Sequence, residues 1–211
     1  MKILRALIVF AAWQSAGAYE IEEVPADLVT PEVVEGDPAP GKRVRQYHTN
    51  YDDGGEIYHL LFLPEDWEEG KEYPVIVEYS GNQWKSSLGS VEEDDLGYGI
   101  IGGKGAIWIC MPFVDTENKR NAPTWWGDVD ATVEYCIDTV RSVCKEYGGD
   151  RDAVFIAGFS RGSIACNYIG LHDERIASIW RGFICHSHYD GVREGWGYDE
   201  ADRASAAIRL A

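Results

Sequence analysis

The chain has 211 residues, of which 45% are hydrophobic and 12% aromatic; this is the composition of a globular protein and excludes a disordered one. The length predicts a single domain with a sizeable core. The formal net charge of −17 at pH 7 repels phosphate backbones and anionic lipids, so neither nucleic-acid binding nor membrane-surface binding is expected.

The N-terminal segment has the layout of a signal peptide. Lys2 and Arg5 give it a basic start, an apolar stretch runs from Ala6 to Trp13, and Ala18 is the small residue after which cleavage is expected. We therefore predict that residues 1–18 are a signal peptide and that the protein is secreted or periplasmic. The alternative is a buried N-terminal helix. The apolar stretch is too short for a membrane span.

Residues 19–41 are rich in Pro and Glu and lack periodicity, which predicts an extended lead-in to a domain over residues 42–211. At the start of that domain, "KRVRQYHTNY" and "EIYHLLFLP" have the pattern of two strands joined by the turn residues "DDGG".

Four apolar runs then alternate with helical patterns. The runs "YPVIVEYSG", "AIWICMPF", "AVFIAGFS" and "WRGFICHS" are typical of buried parallel strands. The clearest helix is "DVDATVEYCIDTVRSVCKEYGG", with Asp128 as its N-cap and Gly148-Gly149 as its end. This alternation predicts the α/β class, a mostly parallel sheet with helices on both faces.

The five cysteines do not form the pattern of a disulfide framework. Cys110 and Cys185 lie in strand-like runs, and Cys136, Cys144 and Cys166 lie in helix-like ones. Buried thiols are the simplest interpretation, although one disulfide between two elements stays open.

The segment Gly158-Phe159-Ser160-Arg161-Gly162 fits the pattern G-x-S-x-G between a strand and a helix. A sharp strand-to-helix turn of this kind presents a serine nucleophile, and the two glycines give the room that the turn needs. The N–H of Arg161 would point at a developing oxyanion. The alternative is a serine that only caps the helix.

A second oxyanion donor is expected from the loop that follows the first buried parallel strand. That strand ends in "VEYSGNQW", so the candidate donors are the backbone N–H groups of Gly81 and Asn82. The alternative interpretation is an ordinary turn at these two residues.

From Tyr73 to Gly191 the sequence resembles the α/β-hydrolase fold, and within it the secreted polyhydroxybutyrate depolymerases and the feruloyl and acetyl-xylan esterases. The resemblance is carried by "PVIVEYSGN", "NAPTWWGDV", "GGDRDAVFIAGFSRGSIACNYIG" and "WRGFICHSHYDG". It covers about two-thirds of such a domain. The resemblance implies acyl-enzyme chemistry on an ester, with an Asp or Glu and then a His following the serine along the chain.

The histidine that should accept the proton of Ser160 is not evident in the sequence. His48 and His59 fall in the early hairpin, and His172 lies near the far end of the helix behind Ser160. His186 and His188 end the next strand, at the edge where a site is expected, so we predict that His188 contacts substrate. It precedes the usual position of the acid, which makes it a weak candidate for the base.

The stretch "HSHYDG" also has part of a metal-ligand pattern. His186, His188 and Asp190 could together hold a metal ion for a metal-dependent hydrolase. Residues 192–211 contain no further His or Cys to complete such a site, so this is the less favoured hypothesis, and no cofactor or metal is predicted.

The C-terminal residues predict a helix from near Asp199, with Ala201, Ala204, Ile208 and Leu210 or Ala211 on one side. No later strand, Asp or His follows. We therefore expect a fold that lacks its last strands, a protein that is incomplete at its C-terminus, and a triad Asp and His beyond residue 211.

Two further segments have competing interpretations. Trp126 in "WWGD" is predicted either to wall the substrate pocket or simply to pack. The acidic segment "VEEDDLG" is predicted to be a solvated loop or a helix start rather than a metal site.

The sequence therefore predicts a secreted serine hydrolase for carboxylic esters. Ser160 would be the nucleophile, the amides of Arg161 and of Gly81 or Asn82 would hold the oxyanion, and Trp126 and His188 would contact the substrate. The substrate would be a small-molecule or polymeric ester, including polysaccharide-linked esters. Without its missing part, the 211-residue chain is expected to be inactive. The alternative is a non-catalytic binding domain that retains the hydrolase scaffold.

Overall fold

The computed structural model describes residues 25–48, 51 and 56–211. The predicted signal peptide and the "DDGG" turn lie outside the described residues, so both stay predictions.

Nine strands are described: β1 Val33–Val34, β2 Arg43–Gln46, β3 His59–Phe62, β4 Tyr73–Tyr79, β5 Ile107–Met111, β6 Val114–Asp115, β7 Arg120–Asn121, β8 Gly149–Phe159 and β9 Gly182–His186. The helices are α1 Leu96–Ile101, α2 Val129–Tyr147, α3 Arg161–Tyr168, α4 Glu174–Ala177 and α5 Arg203–Arg209.

Seven strands form one sheet in the order β1-β2-β3-β5-β4-β8-β9, and β6 and β7 form a separate two-stranded ribbon. The strands β5, β4, β8 and β9 are parallel to one another, whereas β3 is antiparallel to both of its neighbours. The pairing of β2 with β3 confirms the early hairpin strands. The four apolar runs are confirmed as adjacent parallel strands. The prediction that all four are buried is wrong for the last one, because β9 lies at the edge of the described sheet and its Phe183, Cys185 and His186 are exposed.

Helices cover both faces of the sheet because side chains alternate along each buried strand. In β4, Val75 and Val77 belong to the larger apolar cluster, which includes residues of α2, α3 and α4. Ile76 lies in the smaller cluster with Tyr98 of α1. The predicted α/β class, with a mostly parallel sheet covered on both faces, is confirmed.

The predicted ends of the long helix are confirmed. Asp128 is the N-cap of α2, and its side chain accepts a hydrogen bond from the N–H of Ala131 at 3.0 Å. The helix ends at Gly148, which has a left-handed backbone (φ 74°) because the chain turns directly into β8. The predicted lead-in contributes β1, which pairs with β2 and so belongs to the sheet.

The prediction for the C-terminal helix is wrong in its start and in its buried face. Asp202 caps α5 by accepting from the N–H groups of Ala204 and Ser205, so the helix begins at Arg203 and not near Asp199. Ala206 is buried, whereas Ile208 is 75% exposed. The face that packs is the one that carries Arg209, because that side chain has a buried carboxylate partner.

In the part of the chain that is described, no helix is long and apolar enough to cross a membrane.

Candidate active site

Ser160 lies at the turn between β8 and α3 with a backbone conformation of φ 54° and ψ −112°. A positive φ is unusual for a residue with a side chain, and such strain persists only where the surrounding structure enforces it. The N–H of Ser160 donates to the backbone oxygen of His186 at 3.1 Å, which ties the turn to the end of β9. The turn therefore has the geometry of a nucleophile elbow.

The two glycines of the motif are required by close backbone contacts. A Cβ at Gly158 would lie 2.2 Å from the carbonyl carbon of Gly162. A Cβ at Gly162 would lie 1.7 Å from the backbone oxygen of Tyr79, the last residue of β4. No side chain fits at either position, so the elbow can pass beside β4 only with glycine there.

The backbone of Gly81 runs beside the serine. A Cβ at Gly81 would lie 3.8 Å from the Cβ of Ser160 and 3.5 Å from the ring of Phe159. The side-chain oxygen of Asn82 accepts a hydrogen bond from the N–H of Trp125 at 2.8 Å, which joins this loop to the loop before α2. The predicted oxyanion donors are the N–H groups of Gly81, Asn82 and Arg161. The loop after β4 carries the first two, the start of α3 carries the third, and the two segments meet at Ser160.

Ser160 opens onto a cleft of about 1280 Å³. The wall contains both predicted donor residues of the β4 loop, Gly81 and Asn82, as well as His188 and Trp196. The rings of His188 and Trp196 meet edge to face, with centroids 4.9 Å apart. The site thus combines a strained serine with a roomy cleft of mixed polar and aromatic character, which is the usual form of a ligand site.

Trp126 does not line this cleft. It is 5% exposed and stacks on Tyr168 of α3 with ring centroids 4.6 Å apart. Its neighbour Trp125 lines the cleft instead and contacts Trp196 at 5.9 Å between centroids. Of the two interpretations of Trp126, packing therefore describes its position, and Trp125 is the tryptophan that can reach a substrate.

The side chain of Arg161 has a structural role that the sequence did not indicate. It is 1% exposed and donates hydrogen bonds to the backbone oxygens of Ser80, Gly89, Ala122 and Trp125, at 2.8–3.3 Å. Burial lowers the pKa of Arg161 to about 9, whereas the nearby Asp94 carboxyl acts to raise it. The guanidinium therefore stays charged at neutral pH. One cation thus holds together the two loops that border the cleft and fixes them to the elbow.

Two largely buried acidic side chains, Glu78 and Asp94, contribute to the wall of the same cleft. Glu78 of β4 accepts hydrogen bonds from the N–H groups of Leu96 and Gly97 and from the indole of Trp108. Asp94 is 6% exposed and accepts from the hydroxyl of Ser80 at 3.1 Å. The segment "VEEDDLG" therefore does lead into α1 as predicted, but its Asp94 is buried rather than solvated.

The buried Asp94 predicts a pH-dependent loss of stability. Burial raises its pKa well above the ordinary value of 3.8, and the neighbouring Glu78 carboxylate raises it further. The folded state therefore holds a proton that the unfolded state releases, and the free energy of unfolding falls as pH rises above about 4. We expect Asp94→Asn to gain stability relative to the wild type as the pH is raised from about 4.5 to about 8 in urea titrations. A difference that is constant with pH, or that shrinks, would contradict this assignment.

The histidines of "HSHYDG" are separated from Asp190. The ring of His186 is exposed and contacts Phe159 edge to face at 5.4 Å, and His188 lies in the cleft wall. The Asp190 carboxylate is fully buried and paired with Arg209 of α5 at 2.8 Å. Among residues 25–48, 51 and 56–211, no three His, Cys, Asp or Glu side chains are grouped to hold a metal ion. The arrangement gives the metal-dependent hydrolase hypothesis no support.

The other three histidines lie away from the serine. His59 is buried in β3, where its Nδ1 lies 2.9 Å from the hydroxyl of Tyr135, and burial lowers its pKa to about 3. His172 follows α3 and lies 3.2 Å from a carboxylate oxygen of Asp130 on α2. His48 lies two residues after the end of β2, and its Nε2 is 3.8 Å from a carboxylate oxygen of Asp138.

No protein-family model matches the sequence, and no curated protein matches it. Solved structures match over part of the chain. They include a ferulic acid esterase from Anaeromyces mucronatus, with 19% identity and a TM-score of 0.41 over 61% of this chain and 52% of that chain. An acetyl xylan esterase from Aspergillus awamori matches with 15% identity and a TM-score of 0.39 over 68% of this chain and 55% of its own. A thermostable esterase matches with 16% identity and a TM-score of 0.42 over 68% of this chain and 40% of its own.

This chain therefore spans about half or less of the length of those structures. The similarity is one of fold, and the functional conclusion rests on the geometry around Ser160.

Proposed function

We propose that the protein is a serine hydrolase that cleaves carboxylic esters through an acyl-enzyme on Ser160. The observation that carries this proposal is the strained serine at a strand-to-helix turn, with φ 54°, opening onto the large cleft. A serine that only capped a helix would accept hydrogen bonds from the first-turn amides. Ser160 makes no such side-chain cap, which favours the catalytic interpretation.

In the proposed reaction the Ser160 hydroxyl attacks the ester carbonyl, and a base takes its proton. The N–H of Arg161 and that of Gly81 or Asn82 would stabilise the negative oxygen of the tetrahedral intermediate. The base then gives this proton to the leaving alcohol. In the second half of the reaction, water attacks the acyl-enzyme with the help of the same base, and the carboxylic acid product and free Ser160 are released. The Arg161 side chain would contribute by holding both cleft loops in place.

Within the described residues, no hydrogen bond joins the Ser160 side chain to a histidine. His188 lies in the same cleft wall, where it can contact substrate as the sequence predicts.

The substrate is proposed to be a small-molecule or polymeric ester, including esters linked to polysaccharide. Trp125 and Trp196 in the cleft wall, with the exposed Trp84 beside them, supply flat apolar surfaces on which a ring can stack. The N-terminal signal pattern supports export of the protein to the periplasm or the medium.

The test is covalent labelling of the gene product in its natural length with a fluorophosphonate probe, read by peptide mass spectrometry. We expect labelling on Ser160 that falls to background in Ser160→Ala, because the probe reacts only with an activated serine. Ser86→Ala is the matched control, since Ser86 also lines the cleft and should leave labelling unchanged. A folded natural-length protein that takes up no label would overturn the proposal.

A second candidate is a binding domain that uses the same cleft without chemistry. The lack of a histidine hydrogen bond to Ser160 among the described residues favours it. In that case Ser160→Ala would leave ligand affinity unchanged and the wild type would hydrolyse no ester.

A further inference from the structure

A pair of cysteines lies directly behind the elbow, and neither of them lines the cleft. Cys166 is on α3, the helix that begins after Ser160, and Cys185 is on β9. Cys185 is in register with Gly158, and the next residue, His186, accepts the N–H of Ser160 through its backbone oxygen. Any bond between the two cysteines would therefore link the two elements that meet at the serine.

The strand and the helix present these two side chains to each other. Ile184 packs with the apolar cluster on the α1 side of the sheet, so the next residue, Cys185, faces the opposite side, where α3 packs. On α3, Ser163 and Cys166 are three residues apart and share one face of the helix. The Ser163 hydroxyl donates a hydrogen bond to the backbone oxygen of His188, just beyond β9, so this face of α3 lies against the strand that carries Cys185.

The two thiols differ in access and in acidity. Cys166 is buried, and its thiol also lies 3.4 Å from the backbone oxygen of Gly162, whereas Cys185 is exposed. The neighbouring Cys166 lowers the pKa of the Cys185 thiol, whereas Cys185 and burial together raise the pKa of the Cys166 thiol. An exposed thiol of lowered pKa beside a buried second thiol is the arrangement of an attacking and a resolving cysteine.

We propose that Cys166 and Cys185 are a redox-active dithiol that small-molecule disulfides such as oxidised glutathione convert into an intramolecular disulfide between α3 and β9. The Cys185 thiolate attacks one sulfur of the small disulfide, forming a mixed disulfide and releasing one thiolate. Cys166 then loses its proton and attacks the Cys185 sulfur, which releases the second small thiol. The pair loses two electrons and two protons, and the small disulfide is reduced to two thiols. This inference does not depend on the proposed hydrolysis.

In the test, the reduced full-length protein is treated with oxidised glutathione and the remaining free thiols are blocked. The tryptic peptides are then identified by mass spectrometry. Cleavage at arginine places Cys166 in peptide 162–175 and Cys185 in peptide 182–193. We expect these two peptides to be joined in the oxidised wild type, and the unfolding midpoint Tm of the oxidised protein to exceed that of the reduced protein.

Three variants separate the possible outcomes. Cys185→Ser should give neither the joined peptides nor a glutathione adduct, whereas Cys166→Ser should stop at a glutathione adduct on Cys185. Cys144→Ser is the control, because this thiol lies on α2 away from the pair, and it should leave the joined peptides in place. The proposal is overturned if wild-type Cys185 keeps its glutathione adduct, or if another cysteine forms the bond. The wild-type peptide map decides this even if Cys166→Ser does not fold.

Discussion

Gly162→Ala is expected to lower the free energy of unfolding by more than about 3 kcal/mol, or to prevent folding altogether. The added Cβ would lie 1.7 Å from the backbone oxygen of Tyr79 and 2.6 Å from its carbonyl carbon. Both clashing atoms belong to the backbone at the end of β4, a central strand, so no rotation of a side chain can relieve the overlap. The helix α3 would have to move away from the sheet, and Ser160 would move with it.

The matched control is Gly99→Ala, which makes the same change in another helix. Gly99 lies in α1, is exposed, and has nothing within 4 Å of the position that a Cβ would take. Alanine should stabilise that helix by about 0.5–1 kcal/mol, because glycine loses more backbone entropy on folding. Urea unfolding of both variants by circular dichroism gives the comparison. A Gly162→Ala protein as stable as the wild type would mean that the elbow does not contact β4 as described.

Asp190→Ala is expected to lower the free energy of unfolding by about 3–5 kcal/mol, the usual cost of removing one partner of a buried ion pair. The Asp190 side chain is fully buried and lies 2.8 Å from a nitrogen of Arg209 on α5. It also accepts hydrogen bonds from Asn167 of α3 and from the hydroxyl of Tyr198. Its removal would leave the largely buried Arg209 cation with Glu200 as its remaining ion-pair partner and would loosen α5 from α3.

The control for this change is Glu68→Ala, which removes an ion pair of similar length on the surface. Glu68 and Lys71 are 2.7 Å apart, but both side chains are exposed, so their loss should not change stability measurably. A double variant, Asp190→Asn with Arg209→Met, should be less destabilised than the sum of its single changes, because neither charge is then left alone. Equal effects of Asp190→Ala and Glu68→Ala in urea titrations would contradict the buried pair.

The local patterns of the sequence were sufficient for the main elements. Apolar runs bounded by turn residues correctly predicted the positions of β4, β5, β8 and β9. Burial on both faces, which requires apolar residues at nearly every position, describes β4 and β5 but not β9, an edge strand with exposed Phe183, Cys185 and His186. The helical spacing from Val129 to Cys144 predicted α2, and Asp128 and Gly148 predicted its ends. Each of these features depends on a few neighbouring residues, so no knowledge of distant contacts was needed.

The elbow was also predictable, since its two glycines and its serine lie within five residues. The sequence could not show that the Arg161 side chain would be buried. Its hydrogen-bond partners, Ser80, Gly89, Ala122 and Trp125, are 36 to 81 residues away. Without knowledge of these distant acceptors, an arginine at the start of a helix is expected to be exposed, because burying a lone cation is costly.

The sequence by itself therefore determined the α/β class, the place of the serine turn and the alternation of strands and helices. The tertiary structure decided which of two adjacent tryptophans lies in the cleft, which face of α5 is buried, and that Asp190 pairs with Arg209 rather than with the histidines before it. Burial and charge pairing depend on which elements pack against a residue, and those contacts join parts of the chain that no local pattern relates.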